Sequence, residues 1–205
     1  MNVDLVLAKA EGPYLSDVSK DVRVIDLRAS RVLFALPGLV RYLREEKPLA
    51  MLSTLTHANI VAVCAKRLAR ASTKIMIRQA DAIRVASTES SSFRRGIMLF
   101  LMRRFYPRAD EVVAVSKGVA DDLVRIARVP EEKISVIYNP VSNDILEKAE
   151  EPVEHPWFLP GEPPVILGVG RLTEAKDFVT LIHAFHLVRR AYNAKLVILG
   201  EGEKS

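Results

Sequence analysis

Short runs of apolar, often β-branched residues recur along this chain at 3–8, 22–27, 49–53, 74–78, 111–115 and 134–138. Each is five or six residues long, the length and composition of a strand that fits a sheet. Between them the apolar positions change to a helical period, which predicts helices at about 37–46, 58–70, 90–106 and 117–127. Strands that alternate with helices in this way argue for a parallel sheet wrapped on both faces. The strand runs are almost wholly apolar, as expected when helices cover both sides.

After Tyr138 the texture changes. Asn139-Pro140 ends the last strand, and the stretch NDILEKAEEPVEHPWFLPGEPP is rich in proline and acidic residues. It reads as a linker without elements, so the chain divides into a first domain at 1–141, a linker at 142–163 and a second domain from 164 to 205. The second domain opens with a strand at 165–170. A helix follows that sets Phe178, Leu181, Ile182, Phe185 and Val188 on one face, and a strand returns at 194–199. Two strands and one helix are too little to bury a core, so the expectation is a domain only begun.

Composition narrows the classes. The 205 residues are 49% hydrophobic and 27% charged, an ordinary globular balance. A net charge of +5 suits an anionic ligand or an acidic membrane. Nucleic acid is a poor fit, because the basic residues are dispersed and only 6% of the chain is aromatic. Cys64 is the single cysteine, which excludes an intrachain disulfide and points to a reducing compartment. No apolar run is long enough to span a bilayer, and the N-terminus lacks the pattern of a signal peptide. The expected location is cytoplasmic.

The chemistry concentrates in Gly168-Val169-Gly170-Arg171-Leu172-Thr173-Glu174-Ala175-Lys176. The glycines would let the backbone turn and a ligand approach closely. Arg171 can hold two phosphate oxygens at once, and Lys176 supplies a point charge. A helix beginning near Asp177 adds its N-terminal amides. Gly200-Glu201-Gly202, after the next parallel strand, falls on the same sheet edge, where open α/β sheets bind ligands. Thr173 stands where the dinucleotide fingerprint needs its third glycine, and no Gly-Lys-Ser/Thr follows as a P-loop requires.

The run GVGRLTEAKDFVTLIHAF…AKLVILGEGE closely resembles the donor-binding start of the group 1 retaining glycosyltransferases of GT-B fold. ADEVVAVSKGVADDL…VPEEKISVIYNPV is similar to the end of that family's N-terminal domain. The resemblance implies an α/β architecture of two Rossmann-like domains, the first lacking its opening βα unit and the second truncated. It implies that Arg171 and Lys176, with Gly170, contact the diphosphate of a nucleotide-sugar donor, and that Gly200, Glu201 and Gly202 shape the donor pocket. It further implies transfer with retained anomeric configuration, no required metal or other cofactor, and a glycan, lipid-linked or polysaccharide acceptor. The family's Glu-x7-Glu motif would fall beyond Ser205, so this chain by itself is expected to be inactive. Many members carry a histidine after the strand at 74–78, where this chain reads Arg78-Gln79-Ala80-Asp81, and the catalytic residue stays unassigned.

Other residues carry weaker signals. His57 follows a strand end and is an acceptor-side candidate, set against a plain role beside a helix cap. His183 and His186 lack a third ligand, so no metal site is expected. Asp121 and Asp122 read as helix acids rather than a catalytic pair. The segment 92–108, SFRRGIMLFLMRRFYPR, mixes apolar residues with five arginines. Its apolar residues run almost all round, which favours a core helix with solvated arginines, while peripheral contact with the inner face of the cell membrane is the alternative. Two further readings stand beside the transferase: a non-catalytic anion- or membrane-binding α/β module, and a phosphorylase-like relative of the same fold.

Overall fold

The computed structural model describes residues 3–83, 92–141, 143–151 and 155–202, in two compact units, Met1–Pro140 and Val141–Ser205. The first unit carries strands β1 (Val3–Leu7), β2 (Val22–Asp26), β3 (Ala50–Thr54), β4 (Lys74–Gln79), β5 (Glu111–Ala114) and β6 (Ile134–Val136). Its helices are α1 (Leu36–Glu45), α2 (Thr56–Ala69), α3 (Ser92–Phe105) and α4 (Lys117–Arg125). Every strand expected from the apolar runs forms, within a residue or two of its expected bounds. The first two residues of the helix expected at 90–106 lie outside the described residues.

All strand pairings are parallel, but they do not make one sheet. β1 and β2 pair with each other, while β3, β4, β5 and β6 form a separate four-stranded sheet in that order. The expected single sheet is thus interrupted between β1 and β3, because an apolar run specifies a strand but not which edge it meets. Ile75, Ile77, Val112 and Ala114 of the larger sheet are fully buried, together with Leu43 of α1, Leu123 of α4 and Tyr106 just after α3. Burying a side chain of Ile or Leu size contributes about 1.5–3 kcal/mol, so this cluster anchors the unit.

Local chemistry sets the helix ends. Pro37 sits in the first turn of α1, where its missing N–H costs nothing. α2 closes on Arg70 in the left-handed region, φ 53°. The Ser116 hydroxyl caps α4 by accepting from the Val119 amide at 3.2 Å.

The second unit holds α5 (Asn143–Ala149), β7 (Val165–Val169), α6 (Phe178–Arg189) and β8 (Lys195–Leu199). The linker expected to lack elements therefore contains a helix, whose Leu, Glu, Lys and Ala are good helix formers. It also contains a 3-10 turn at Pro156–Phe158. That turn is tied to β8: the Lys195 ammonium lies 5.0 Å from the centre of the Trp157 ring and pairs with Glu162. β7 and β8 pair in parallel, and Phe178, Leu181 and Phe185 of α6 are half-buried. Ile182 and Val188, expected on the same face, are exposed. Among the described residues of this unit only Ala194 is buried, so two strands and a helix do not close a core here.

Candidate functional site

In the second unit, strand pairing carries on past the ends of β7 and β8. The Gly170 amide donates to the Leu199 carbonyl at 3.0 Å, and the Leu172 amide donates to the Glu201 carbonyl at 2.9 Å. The segments 170–172 and 199–201 thus run side by side at one sheet edge. Gly200 and Gly202 permit this approach. A Cβ on Gly200 would fall onto the Gly170 carbonyl oxygen, and one on Gly202 would lie 2.5 Å from the Leu172 oxygen. The other two glycines act differently from the sharp turn the sequence suggested, since neither adopts a positive φ. Gly168 makes room for α6, because its Cβ would stand 3.1 Å from both Leu181 and Phe178. At Gly170 a Cβ would make only ordinary contacts, 3.5 Å from Lys176 Cδ and Phe178 Cζ, so the Lys176 stem lies along this residue.

The reversal into α6 falls instead on Asp177, at φ 46°. Its carboxylate accepts from the Thr180 amide at 3.3 Å and caps the helix. A 3-10 turn at Glu174–Lys176 precedes it. Arg171 and Lys176 are both exposed, and neither has a hydrogen-bond or ion-pair partner among the described residues. The structure therefore brings together Gly170, Arg171, Lys176, Gly200, Glu201 and Gly202 at the C-terminal ends of two parallel strands. Two cations without a partner among the described residues, next to a helix N-terminus, are the groups that binding an anion would call for.

The first unit has its own C-terminal strand edge. His57 is exposed in the first turn of α2, just after Leu55, which takes φ 77° and ψ 135°. A leucine there is strained, and such outliers concentrate where a fold fixes a functional turn. At the end of β4, the Arg78 guanidinium donates to Thr54 Oγ1 at 3.2 Å and to Asn139 Oδ1 at 2.6 Å. Beneath it, Asn59 Nδ2 donates to the Arg78 carbonyl and to the Tyr106 hydroxyl, which donates in turn to Gln79 Oε1 at 2.9 Å. Burial pushes the Tyr106 phenol above its ordinary pKa, so it stays neutral and remains a donor. Sequence reasoning missed this network. Its one visible signal was Asn59, a polar residue inside an apolar helix run.

Helix α3 carries apolar residues round its circumference but is not buried all round. Met102 is buried, while Phe93 and Phe100 are 78% and 66% exposed and Ile97 lies exposed between them. At spacings of four and three they form one stripe. Arg94, Arg103 and Arg104 are exposed beside it, and the helix contains no acidic residue. Among the described residues no helix is long and apolar enough to cross a membrane.

Residues 2–144 match the family described as Glycosyltransferase Family 4, and residues 150–205 match Glycosyl transferases group 1. A Campylobacter jejuni enzyme, N-acetylgalactosamine-N,N'-diacetylbacillosaminyl-diphospho-undecaprenol 4-alpha-N-acetylgalactosaminyltransferase, is 31% identical over 149 residues, covering 72% of this chain and 38% of its own length. Sucrose-phosphate synthase of Thermosynechococcus elongatus shares the fold with a TM-score of 0.67 at 16% identity, covering 97% of this chain and 52% of that one. Anabaena HepE, solved in complex with UDP, does so with a TM-score of 0.54 at 18% identity, covering 95% and 61%. The chain thus spans between about a third and two thirds of the length of these relatives. With both units matched in order, this chain belongs to the group 1 glycosyltransferases, its first unit being of the Family 4 type.

Proposed function

We propose that the complete protein moves a sugar from a nucleoside-diphosphate donor to a lipid-linked or polysaccharide glycan, with retention at the anomeric carbon. The observation that carries this is the pair of cations, Arg171 and Lys176, without a partner among the described residues and beside the helix N-terminus at the edge of β7 and β8. In the reaction the bond from the sugar's anomeric carbon to the diphosphate oxygen breaks, and an acceptor hydroxyl oxygen bonds to that carbon and gives up its proton. The transition state resembles an oxocarbenium ion while negative charge grows on the leaving diphosphate. A bidentate guanidinium and a nearby ammonium, held ready in place, stabilise that charge with no metal ion required. Gly200, Glu201 and Gly202 border the same space and shape the donor pocket. The UDP bound by the Anabaena protein and the undecaprenol-linked acceptor named for the Campylobacter enzyme support this donor and acceptor class. The test is to offer the complete protein a panel of nucleoside-diphosphate sugars with lipid-linked acceptors. Nucleoside diphosphate should be released, and the product should keep the donor's anomeric configuration. Release of sugar phosphate that depends on inorganic phosphate would instead establish the phosphorylase-like reading.

The acceptor class fits a surface on the first unit. The stripe of Phe93, Ile97 and Phe100, flanked by Arg94, Arg103 and Arg104, has the make-up of a helix lying in the headgroup region of an anionic bilayer. Docking there would hold the enzyme peripherally on the cytoplasmic membrane face, where a lipid-linked acceptor is displayed. Sedimentation with vesicles containing acidic lipid should show binding that weakens with salt. The Phe93→Ser/Phe100→Ser variant should bind about tenfold more weakly or worse. Equal sedimentation of variant and parent would remove this helix from the account.

A further inference from the structure

The C-terminal strand edge of the first unit carries a cation with no part in the donor site. Arg78, at the end of β4, is half-buried, and among the described residues it makes no ion pair. Its guanidinium is held from two sides by neutral oxygens, Thr54 Oγ1 at the end of β3 at 3.2 Å and Asn139 Oδ1 beyond β6 at 2.6 Å. It therefore reaches across the strand ends with its charge unanswered, and the rest of its fork of donors stays available. Drawing a cation partly out of water with no counter-charge costs free energy, and a bound anion would offset that cost.

The fold fixes this arginine from below. Alternation along β4 turns Ile75, Ile77 and Gln79 into the core and leaves Arg78 on the opposite face. Gln79 is occupied there, donating to the Asp81 carbonyl at 2.9 Å and accepting from the Tyr106 hydroxyl. Asn59 Nδ2 donates to the Arg78 carbonyl at 3.0 Å and so holds its backbone. Asn59 is completely buried, and its Oδ1 has no partner among the described residues. An orphaned buried acceptor costs about 1–3 kcal/mol, a cost that proteins tolerate where a site needs fixed geometry. Just past Thr54, α2 begins at Thr56 with no side-chain cap, so its first amides open on the same edge. A fixed guanidinium beside uncapped helix amides suits a phosphate oxyanion.

The donor diphosphate already has its proposed cations, Arg171 and Lys176, in the second unit. The acceptor offers the other anion. A glycan joined to a lipid through phosphate is negatively charged at the point of attachment, whereas the growing end of a neutral polysaccharide carries no charge. On the transferase reading above, on which this rests, we propose that Arg78 binds the phosphate joining sugar to lipid in the acceptor. It thereby selects phosphate-linked acceptors over uncharged glycans. The clasp of Thr54 and Asn139 holds the guanidinium in place before the acceptor arrives, which limits the ordering that binding demands.

Transfer by the complete protein to two acceptors tests this: a sugar carried on a short isoprenyl diphosphate, and the same sugar as an alkyl glycoside of similar length. In the Arg78→Gln variant the ratio of kcat/KM for the charged over the uncharged acceptor should fall about tenfold or more, through a higher KM for the diphosphate acceptor. Arg78→Lys keeps the charge without the fork and should fall between the two. Calorimetric titration with the diphosphate acceptor, with saturating nucleoside diphosphate present to occupy the donor site, reads the same contact without turnover. Arg78→Gln should weaken that binding by a similar factor. An unchanged ratio and an unchanged affinity overturn the proposal. So does an equal loss on both acceptors, which would make Arg78 a clasp of the sheet edge and nothing more. A rise in the donor's KM with both acceptors also overturns it, since the phosphate would then be the donor's. A parent protein that transfers to neither acceptor would count against the transferase reading, and the titration would still decide the role of Arg78.

Discussion

Replacing Arg171 by alanine in the complete protein should lower sugar transfer by about a hundredfold or more, the loss typical when one fixed donor to a developing anion is removed. The effect falls on kcat more than on KM, because the charge that Arg171 answers is larger in the transition state than in the bound donor. Lys176→Ala costs less, since a mobile ammonium makes one contact where a guanidinium makes two. Arg171→Lys keeps the charge but loses the fork, and it should fall between the parent and the alanine variant. None of these changes should alter thermal stability, as both side chains are exposed and unpartnered among the described residues. Steady-state kinetics on the four proteins decides the matter, and a rise in KM at constant kcat would reduce Arg171 to plain donor binding.

The second large effect is expected at Gly202. Its Cβ would stand 2.5 Å from the Leu172 oxygen and 2.8 Å from the Leu172 nitrogen, so alanine must push the loop carrying Arg171 off the end of β8. The cost is steric, of about 1–3 kcal/mol in stability, as overpacking generally is. Because the displaced loop carries the proposed diphosphate contacts, transfer should drop at least tenfold as well. Gly170→Ala is the matched control for stability. Its Cβ meets Lys176 and Phe178 at 3.5 Å, so the fold should hold within about 0.5 kcal/mol. Melting curves and transfer rates for the pair separate the cases. A Gly202→Ala protein as stable and active as Gly170→Ala would mean that the two strand ends are not held together as described.

The strands were legible because β-branched apolar runs between helical periods have few other uses. The loop chemistry was legible because Arg171 and Lys176 stand out between two glycine pairs. The gap between β1 and β3 was hidden, since strand pairing depends on partners that no local pattern encodes. So was α5, whose helix formers were masked by the prolines that follow them. Ile182 and Val188 have the right period for the α6 face, yet a period says nothing about how much neighbouring structure is present to cover it. For α3 the error ran the other way. The spread of apolar residues favoured a core helix with solvated arginines, whereas the exposed stripe of Phe93, Ile97 and Phe100 emerges only when Met102 and Tyr106 are seen on the buried side. The glycines stood out in the sequence, but the reason for them did not. Gly168, Gly200 and Gly202 make room for neighbouring atoms and do not supply a left-handed turn.

The central claim is that the loop after β7 and the turn after β8 bind the donor through its diphosphate. Calorimetric titration of the complete protein with a nucleoside, its monophosphate and its diphosphate tests this most directly, with the Arg171→Ala/Lys176→Ala variant alongside. In the parent, affinity should rise with each phosphate, and the variant should bind the diphosphate no better than the monophosphate. Undiminished diphosphate affinity in the variant would contradict the claim and place the donor elsewhere.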